Sequence, residues 1–456
     1  MTAAGAAGLR TGRVVVVGAS LAGLRAAEAL RDEGFTGELT LIGDEPHEPY
    51  DRPPLSKAVL SGRLDCDHIA LPRVRDIGAR WLLGTPATGL DVPGRRVELA
   101  DGQRLAYDRL LIATGTRARR WPLQAGGGLE GVHVLRTRED AERLRGALAA
   151  GPRRVLVVGA GFTGGEVASS CRELGIPVTV TQRSAAPLAG ALGGVLGRAA
   201  AEWYREAGVD LRLNTTVQAL EGDASGRLRR AVLSDGTAMP VEVAVIATGA
   251  VANTEWLAGS GLIADHRGVV SDAACRAAAT CGRPVEGVFV AGDVARWPHP
   301  LFPGLLRLDH WDNALAQART AAYNITHDPG DRRHHEPLPA FWSQQFGRYL
   351  KSVGVPAVAD QVVVTQGALD QRQFVAAYGL KGRLVGVVSV DSPRVLEGYA
   401  ALIEARAPFP PELGATDGPA HLDPLDAGFP GRAADGPQEH DIRTPSALAP
   451  APTAHR

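Results

Sequence analysis

Two short glycine-rich stretches carry the strongest chemical signal in this chain. One reads Gly159-Ala160-Gly161-Phe162-Thr163-Gly164, after the apolar run Val155–Val158 and before Gly165-Glu166-Val167-Ala168. The other reads Gly18-Ala19-Ser20-Leu21-Ala22-Gly23, after Val14–Val17, with Ser20 where a middle glycine would stand. A strand, a glycine turn and a helix start bring backbone N–H groups and the positive end of a helix against a pyrophosphate. Each turn alone is a weak signal, because a glycine-rich turn in an α/β domain need not hold a ligand. Two in one chain point to two dinucleotides.

The strand that follows each turn separates the two sites. Leu39–Ile42 runs into Gly43-Asp44-Glu45, where a carboxylate is placed to accept hydrogen bonds from a ribose. Val178–Thr181 runs into Gln182-Arg183 instead. The carboxylate that would repel the extra phosphate of NADP is absent there, and a cation stands beside its place. The second site is therefore expected to use NADPH at least comparably to NADH, the alternative being that Arg183 is simply solvated. Lysine is a further pointer: it occurs only at positions 57, 351 and 381 in a chain that otherwise writes its positive charge as arginine. A compact, titratable ammonium does what a guanidinium cannot.

The rest of the composition mostly excludes. At 456 residues the chain has room for two or three domains with substantial cores. With 49 basic and 50 acidic residues the formal net charge is −1, so no global field favours nucleic acid or an anionic membrane. No apolar run of membrane-spanning length occurs, and Met1–Gly12 lacks a basic-then-apolar leader pattern, so a soluble cytoplasmic protein is expected. The four cysteines, Cys66, Cys171, Cys275 and Cys281, form no C-x-x-C pair, and His68 has no further ligands around it, so no metal site is expected. Cys275 and Cys281 lie close enough in sequence to raise a thiol relay, but isolated reduced thiols are the simpler reading.

Strand–turn–helix–strand patterning occurs twice, which predicts α/β architecture with doubly wound parallel sheets. Each half closes on an Ala-Thr-Gly turn, at Ala113–Gly115 and Ala247–Gly249. The apolar run Gly287–Ala291, ending in Gly292-Asp293, reads as the chain returning to its first sheet. Beyond Phe341 short β-branched runs at Gln361–Thr365 and Arg383–Val390 predict a small antiparallel sheet, followed by a helix over Arg394–Arg406. The proline-rich stretch from Pro408 to Arg456 has no periodicity and is expected to be disordered.

Five further stretches make a resemblance specific. They are Gly43–Lys57 (GDEPHEPYDRPPLSK), Leu135-Arg136-Thr137, Ala291–Trp297 (AGDVARW), His310–Ala314 (HWDNA) and Phe341–Gly347 (FWSQQFG). With the two turns, they resemble the oxygenase-coupled, FAD-dependent NAD(P)H:ferredoxin reductases over the chain from about Arg13 to Arg406. The resemblance implies two Rossmann-like dinucleotide-binding domains, one for FAD and one for NAD(P), plus a small C-terminal α+β domain. The implied boundaries are a disordered N-terminus over 1–12, an FAD domain from 13–121 and 250–330, and an NAD(P) domain over 122–249. The C-terminal domain follows over 331–407 and the tail over 408–456.

Residue by residue, it implies that Gly18, Ser20, Gly23 and Asp44 meet the FAD pyrophosphate and ribose, with Arg52 in the same motif. Ala87 would lie by the adenine, Thr114 and Gly115 along the cofactor, Arg136 near its diphosphate or ribityl side, Asp293 on the ribityl chain and Trp311 by the isoalloxazine. For Ala87 and Thr114 strand-end packing is the plain alternative, and for Trp311 a core aromatic. Gly159, Gly161, Thr163, Gly164, Gln182, Arg183 and Gly249 would hold the nicotinamide nucleotide. Lys57 and Glu166 look like the family's ion pair near flavin N5, where a buried ammonium stabilises the charge that arrives with hydride; an inter-domain salt bridge is the alternative. The pattern departs from the family at Gln182, where Glu is common, and at Gln344, where an acidic residue is common.

Related two-nucleotide flavoproteins can reduce disulfides through a cysteine pair beside the flavin, but Arg52–Lys57 contains none. Direct one-electron exit, to a [2Fe–2S] ferredoxin feeding a cytochrome P450 or a Rieske-type oxygenase, is therefore the implied function. An NAD(P)H oxidase or diaphorase stays open as an alternative, as does a flavin-bound redox-sensing interaction protein.

Overall fold

The computed structural model describes residues 10–411 and the backbone of Pro424–Asp426. The first glycine turn stands at the end of the strand Arg13–Val17, which is central in a six-stranded sheet. Its strands run in the order Arg276–Ala278, Pro284–Val290, Arg109–Ile112, Arg13–Val17, Glu38–Ile42, Arg80–Leu82. All pair in parallel except the first two. Because side chains alternate across a strand, Val14 and Val16 face one side and Val15 and Val17 the other, and all four are buried. The first side packs under Ala26, Ala27 and Leu30 of the helix Leu21–Asp32 and under Ala318, Ala322 and Ile325 of the helix Trp311–Thr326. Alanine at these positions lets the two helices lie close together on the sheet.

Val288–Val290 pairs with Leu110–Ile112, so the chain leaves this sheet, builds another and comes back. The second sheet is fully parallel, in the order Asp210–Leu213, Val178–Gln182, Val155–Val158, Val243–Ile246, Val132–His133. The helix Phe162–Glu173 covers one face and a three-stranded antiparallel layer, Val217–Gly222 to Ala238–Pro240, the other. A two-stranded ribbon, Thr116–Ala118 against Ala250–Ala252, carries the chain out and back. The two Rossmann-like domains are joined by a C-terminal α+β domain. Its antiparallel sheet is built from Ala340–Gln345, Arg348–Gly354, Arg383–Val390, Phe374–Leu380 and Gln361–Gly367. The Tyr378 hydroxyl donates to the Leu192 carbonyl at 2.8 Å, fixing this domain to the second.

Three boundaries differ from expectation. Residues 10–12, expected to be disordered, are tied to the first sheet: the amides of Thr36 and Glu38 donate to the carbonyls of Arg10 and Gly12 at 2.9 and 2.8 Å. Residues 1–9 lie outside the described residues. The last helix is shorter than predicted, Leu396–Glu404, because Pro393 starts a 3-10 turn over Pro393–Val395. The tail is not irregular from Pro408. Pro408 bridges Arg383, and the Phe409 ring lies on Gly379, where a Cβ would come within 2.4 Å of it. Pro424–Asp426 then adds an antiparallel strand to Gln361–Val363. The remainder of the predicted tail lies outside the described residues.

Close approach explains the glycine spacing. Gly18 and Gly159 have φ of +116° and +107°, a conformation that favours glycine. A Cβ on Gly23 or Gly164 would sit 1.9 Å from the carbonyl oxygen of Gly18 or Gly159 respectively, so the third glycine is what lets the helix seat on its strand. A Cβ on Gly161 would meet nothing within 4 Å, and the fold itself tolerates Ser20 at the equivalent place. Gly164→Ala is accordingly expected to destabilise the protein by about 1–3 kcal/mol through overpacking, read as a lowered thermal transition. An unchanged transition would show that the helix moves back freely.

Candidate active site

Both glycine turns open onto one cavity of about 670 Å³. Gly18, Ser20, Asp44, Arg52, Lys57, Thr114, Gly115, Arg136, Thr163, Glu166, Asp293 and Trp311 all line it. Gly23 lies behind the first turn, in packing. Ala87 stays outside the lining, half-buried in the strand Ala87–Asp91 and paired with Leu99. Gly159, Gly161, Gly164, Gln182, Arg183 and Gly249 also lie outside it, about the second turn and the strand ends beside it.

The turns have the chemistry a pyrophosphate requires. Ser20 and Gly161 are the N-caps of the helices Leu21–Asp32 and Phe162–Glu173, and neither helix has a side chain capping its first N–H groups. By contrast, the helix Arg138–Ala149 closes its own start with a capping box between Thr137 and Asp140. Two uncapped helix starts, each at a turn whose first and last glycines leave no room for a Cβ, fit dinucleotide phosphates.

Lys57 and Glu166 meet in the cavity. Lys57 follows the short 3-10 turn Pro53–Ser56 of the first domain, and Glu166 lies near the start of the helix Phe162–Glu173 of the second. Their N–O distance is 2.6 Å. The Ser56 hydroxyl donates to the same carboxylate oxygen at 2.6 Å. The other oxygen accepts from the Ser343 hydroxyl at 2.7 Å, on the first strand of the C-terminal domain. Lys57 Nζ also donates to the Pro53 carbonyl at 3.2 Å and lies 5.4 Å from the centre of the Trp342 ring. The ammonium is thus held in one place, its charge balanced by a carboxylate whose own oxygens are both satisfied. Ser343 was not singled out from sequence although it lies within Phe341–Gly347; nothing in its spacing says that it reaches another domain.

A second charged group forms the adjoining wall. Arg136 pairs with Asp293 at 2.6 Å and donates from Nε to the Thr116 carbonyl at 3.1 Å. Arg52 donates to the Arg136 carbonyl at 2.7 Å and pairs with Glu45 at 2.5 Å. Trp311 donates from its indole to Asp51 at 3.1 Å, which fixes the ring plane at the cavity. Burial raises the Asp51 carboxyl, against the pull of that indole bond and of Lys57. Asp309 is pushed up to about 6, first by enclosure and then by Asp293, with Arg307 and Arg136 opposing. His310, lowered chiefly by burial, is neutral; its Nε2 accepts from the Trp342 amide at 3.1 Å, which leaves the proton on a buried, unpartnered Nδ1.

No cysteine lines the cavity: Cys281 is exposed elsewhere, and the other three are enclosed. Cys66, Cys171 and Cys275 are buried, and burial pushes all three thiols up, Cys171 to about 12. Thiols held protonated in this way are poor nucleophiles.

Residues 12–318 match the model of the pyridine nucleotide-disulphide oxidoreductase family, and residues 340–422 that of the reductase C-terminal domain. The chain is 38% identical to rhodocoxin reductase of Rhodococcus erythropolis over 405 residues, 88% of this chain and 92% of that one. It is 37% identical to the ferredoxin reductase component of chlorobenzene dioxygenase from Cupriavidus sp. over 406 residues, covering 87% and 94%. The solved covalent complex of putidaredoxin reductase with putidaredoxin has a similar fold, with a TM-score of 0.80 at 32% identity over 87% of this chain and 94% of that one. Fold and site together define an oxidoreductase with two nucleotide-binding domains. The chain belongs to the pyridine nucleotide-disulphide oxidoreductase family, among its ferredoxin reductases.

If the Lys57 ammonium steadies charge arriving in the cavity, removing it should cost rate while sparing cofactor binding. In FAD-loaded protein, Lys57→Ala is expected to slow reduction by a nicotinamide nucleotide on the order of a hundredfold, about 3 kcal/mol. Stopped-flow absorbance measures this; an unchanged rate would reduce the pair to an inter-domain clamp.

Proposed function

We propose that this enzyme draws hydride from NADH or NADPH at the second turn and passes the electrons singly, through FAD in the large cavity, to a [2Fe–2S] ferredoxin. That ferredoxin would serve a cytochrome P450 or a Rieske-type oxygenase. The observation that carries this reading is that the cavity is lined by Gly18–Ala22 of one turn and by Phe162, Thr163 and Glu166 beside the other, so nucleotides held at the two turns would face the same space. FAD supplies a carrier that accepts an electron pair as hydride and releases electrons one at a time. The chain's own residues hold a fixed positive charge there through Lys57. They also narrow the space with Phe162 and Phe341, whose rings are 4.9 Å apart, and limit the water that would otherwise screen that charge.

Support for a protein acceptor comes from a hollow of about 290 Å³ lined by Arg119, Ala250, His266, Arg267, Arg296 and Arg307. Arg307 pairs at 3.0 Å with Asp309, itself part of the flavin-site lining, so the hollow adjoins that site. Leu305, two residues before Arg307, is an exposed apolar side chain. Excess positive charge with an apolar neighbour suits an acidic redox protein. Oxygen or a quinone would need no such surface.

The purified enzyme is expected to carry one FAD per chain and to reduce cytochrome c with NAD(P)H only when a [2Fe–2S] ferredoxin is added. Arg119→Glu should raise KM for the ferredoxin several-fold at low salt and leave ferricyanide reduction unchanged. Equal cytochrome c rates with and without ferredoxin would turn the assignment towards a diaphorase, and protein that takes up no flavin would remove it.

A further inference from the structure

The second nucleotide site has an arrangement at its adenosine end that bears on which coenzyme it takes. The strand Val178–Gln182 ends beside the turn Gly159–Gly164, where a carboxylate would bind the ribose hydroxyls and repel a 2′-phosphate. Gln182 stands there, and both ends of its amide are engaged. Its Oε1 accepts from the Ala160 amide at 3.0 Å, and its Nε2 donates to Ser184 Oγ at 2.5 Å. Ser184 Oγ in turn donates to the Ala186 carbonyl at 2.9 Å. The backbone is pinned as well: the Gln182 carbonyl accepts from the Thr215 amide at 2.9 Å and the Ser184 carbonyl from the Asn214 amide at 3.2 Å. Arg183 therefore projects from a turn fixed on both sides. It is exposed and has no hydrogen-bond or ion-pair partner among the described residues.

Repulsion from other acids does not offset this. On the neighbouring strand Asp210 is held by Arg212 at 3.1 Å, and Asp235 by the same arginine at 3.6 Å. The site thus lacks the carboxylate that selects NADH and has a rigidly based, unpaired guanidinium, the group best shaped to grip a phosphate.

We infer that the second site recognises the adenosine 2′-phosphate, that NADPH is the better-bound coenzyme, and that Arg183 makes the selection. This rests on the second turn being the nicotinamide-nucleotide site. Isothermal titration of the FAD-loaded enzyme with 5′-ADP and with 2′,5′-ADP tests it without turnover. The phosphorylated ligand is expected to bind at least tenfold tighter, with the advantage shrinking as salt is raised. Arg183→Ala should bring the two ligands level, and Gln182→Glu should invert the order. kcat/KM for NADPH against NADH should follow the same ratios. Equal binding of the two ligands by the wild type, or tighter 5′-ADP, overturns the inference. So does an advantage that survives Arg183→Ala, since another group would then carry the recognition. Reduction of the bound FAD by NADH in the same preparation keeps the two conclusions apart: where it proceeds and 2′,5′-ADP has no advantage, the coenzyme inference fails and the proposed function stands.

Discussion

The Glu166 carboxylate is the point on which the arrangement of the three domains turns. It comes from the second domain and receives Lys57 and Ser56 from the first and Ser343 from the third. Removing one partner of a buried ion pair typically costs about 3–5 kcal/mol, because the other charge is left without compensation. Glu166 therefore makes correct docking of the domains a condition of its own stability. The same bonds that hold the domains in register hold the ammonium at the cavity wall, so domain assembly and the placing of this charge are not separable. Tyr378 adds a neutral tie between the second and third domains, without a charge at stake.

That carboxylate can be where it is only because the helix bearing it starts hard against the strand Val155–Val158. Gly164 permits the approach, and Gly165, one residue on, lies where a Cβ would strike Gln345 of the third domain at 2.1 Å. Consecutive glycines thus serve two separate contacts, one to the strand behind and one to the domain in front. At the first turn the residue after Gly23 is Leu24, buried in the apolar core shared with the helix Trp311–Thr326, and a serine replaces the middle glycine.

How much of this was legible in the sequence depends on the range of the interaction. The turns, the parallel strands and the engaged pair Lys57 and Glu166 follow from local residue type, apolar periodicity or motif. The roles of Ser343 and Gln345 do not, because their partners are more than 170 residues away in the chain. A serine in a β-strand has no local signature for a bond to another domain. The start of the tail differs from expectation for a related reason: proline content describes local preference, whereas Phe409 is fixed by a glycine, Gly379, on a strand already in place. Gln182 was readable as the loss of a carboxylate. That its amide is consumed in bracing the turn was not.

Charge also connects the cavity with the basic hollow beside it. Enclosure first and then the charge of Asp293 raise the Asp309 carboxyl to about 6, while Arg307 holds Asp309 and Arg136 holds Asp293. Arg307 belongs at once to this set and to the basic hollow outside it. A partner carboxylate that engaged Arg307 would draw it from Asp309 and leave that group with less opposing charge, favouring its protonated form. The potential of the cavity would then change with what sits in the hollow, although no backbone need move. Such a link would act on the wall formed by Asp293 and Asp309, away from the Lys57–Glu166 wall.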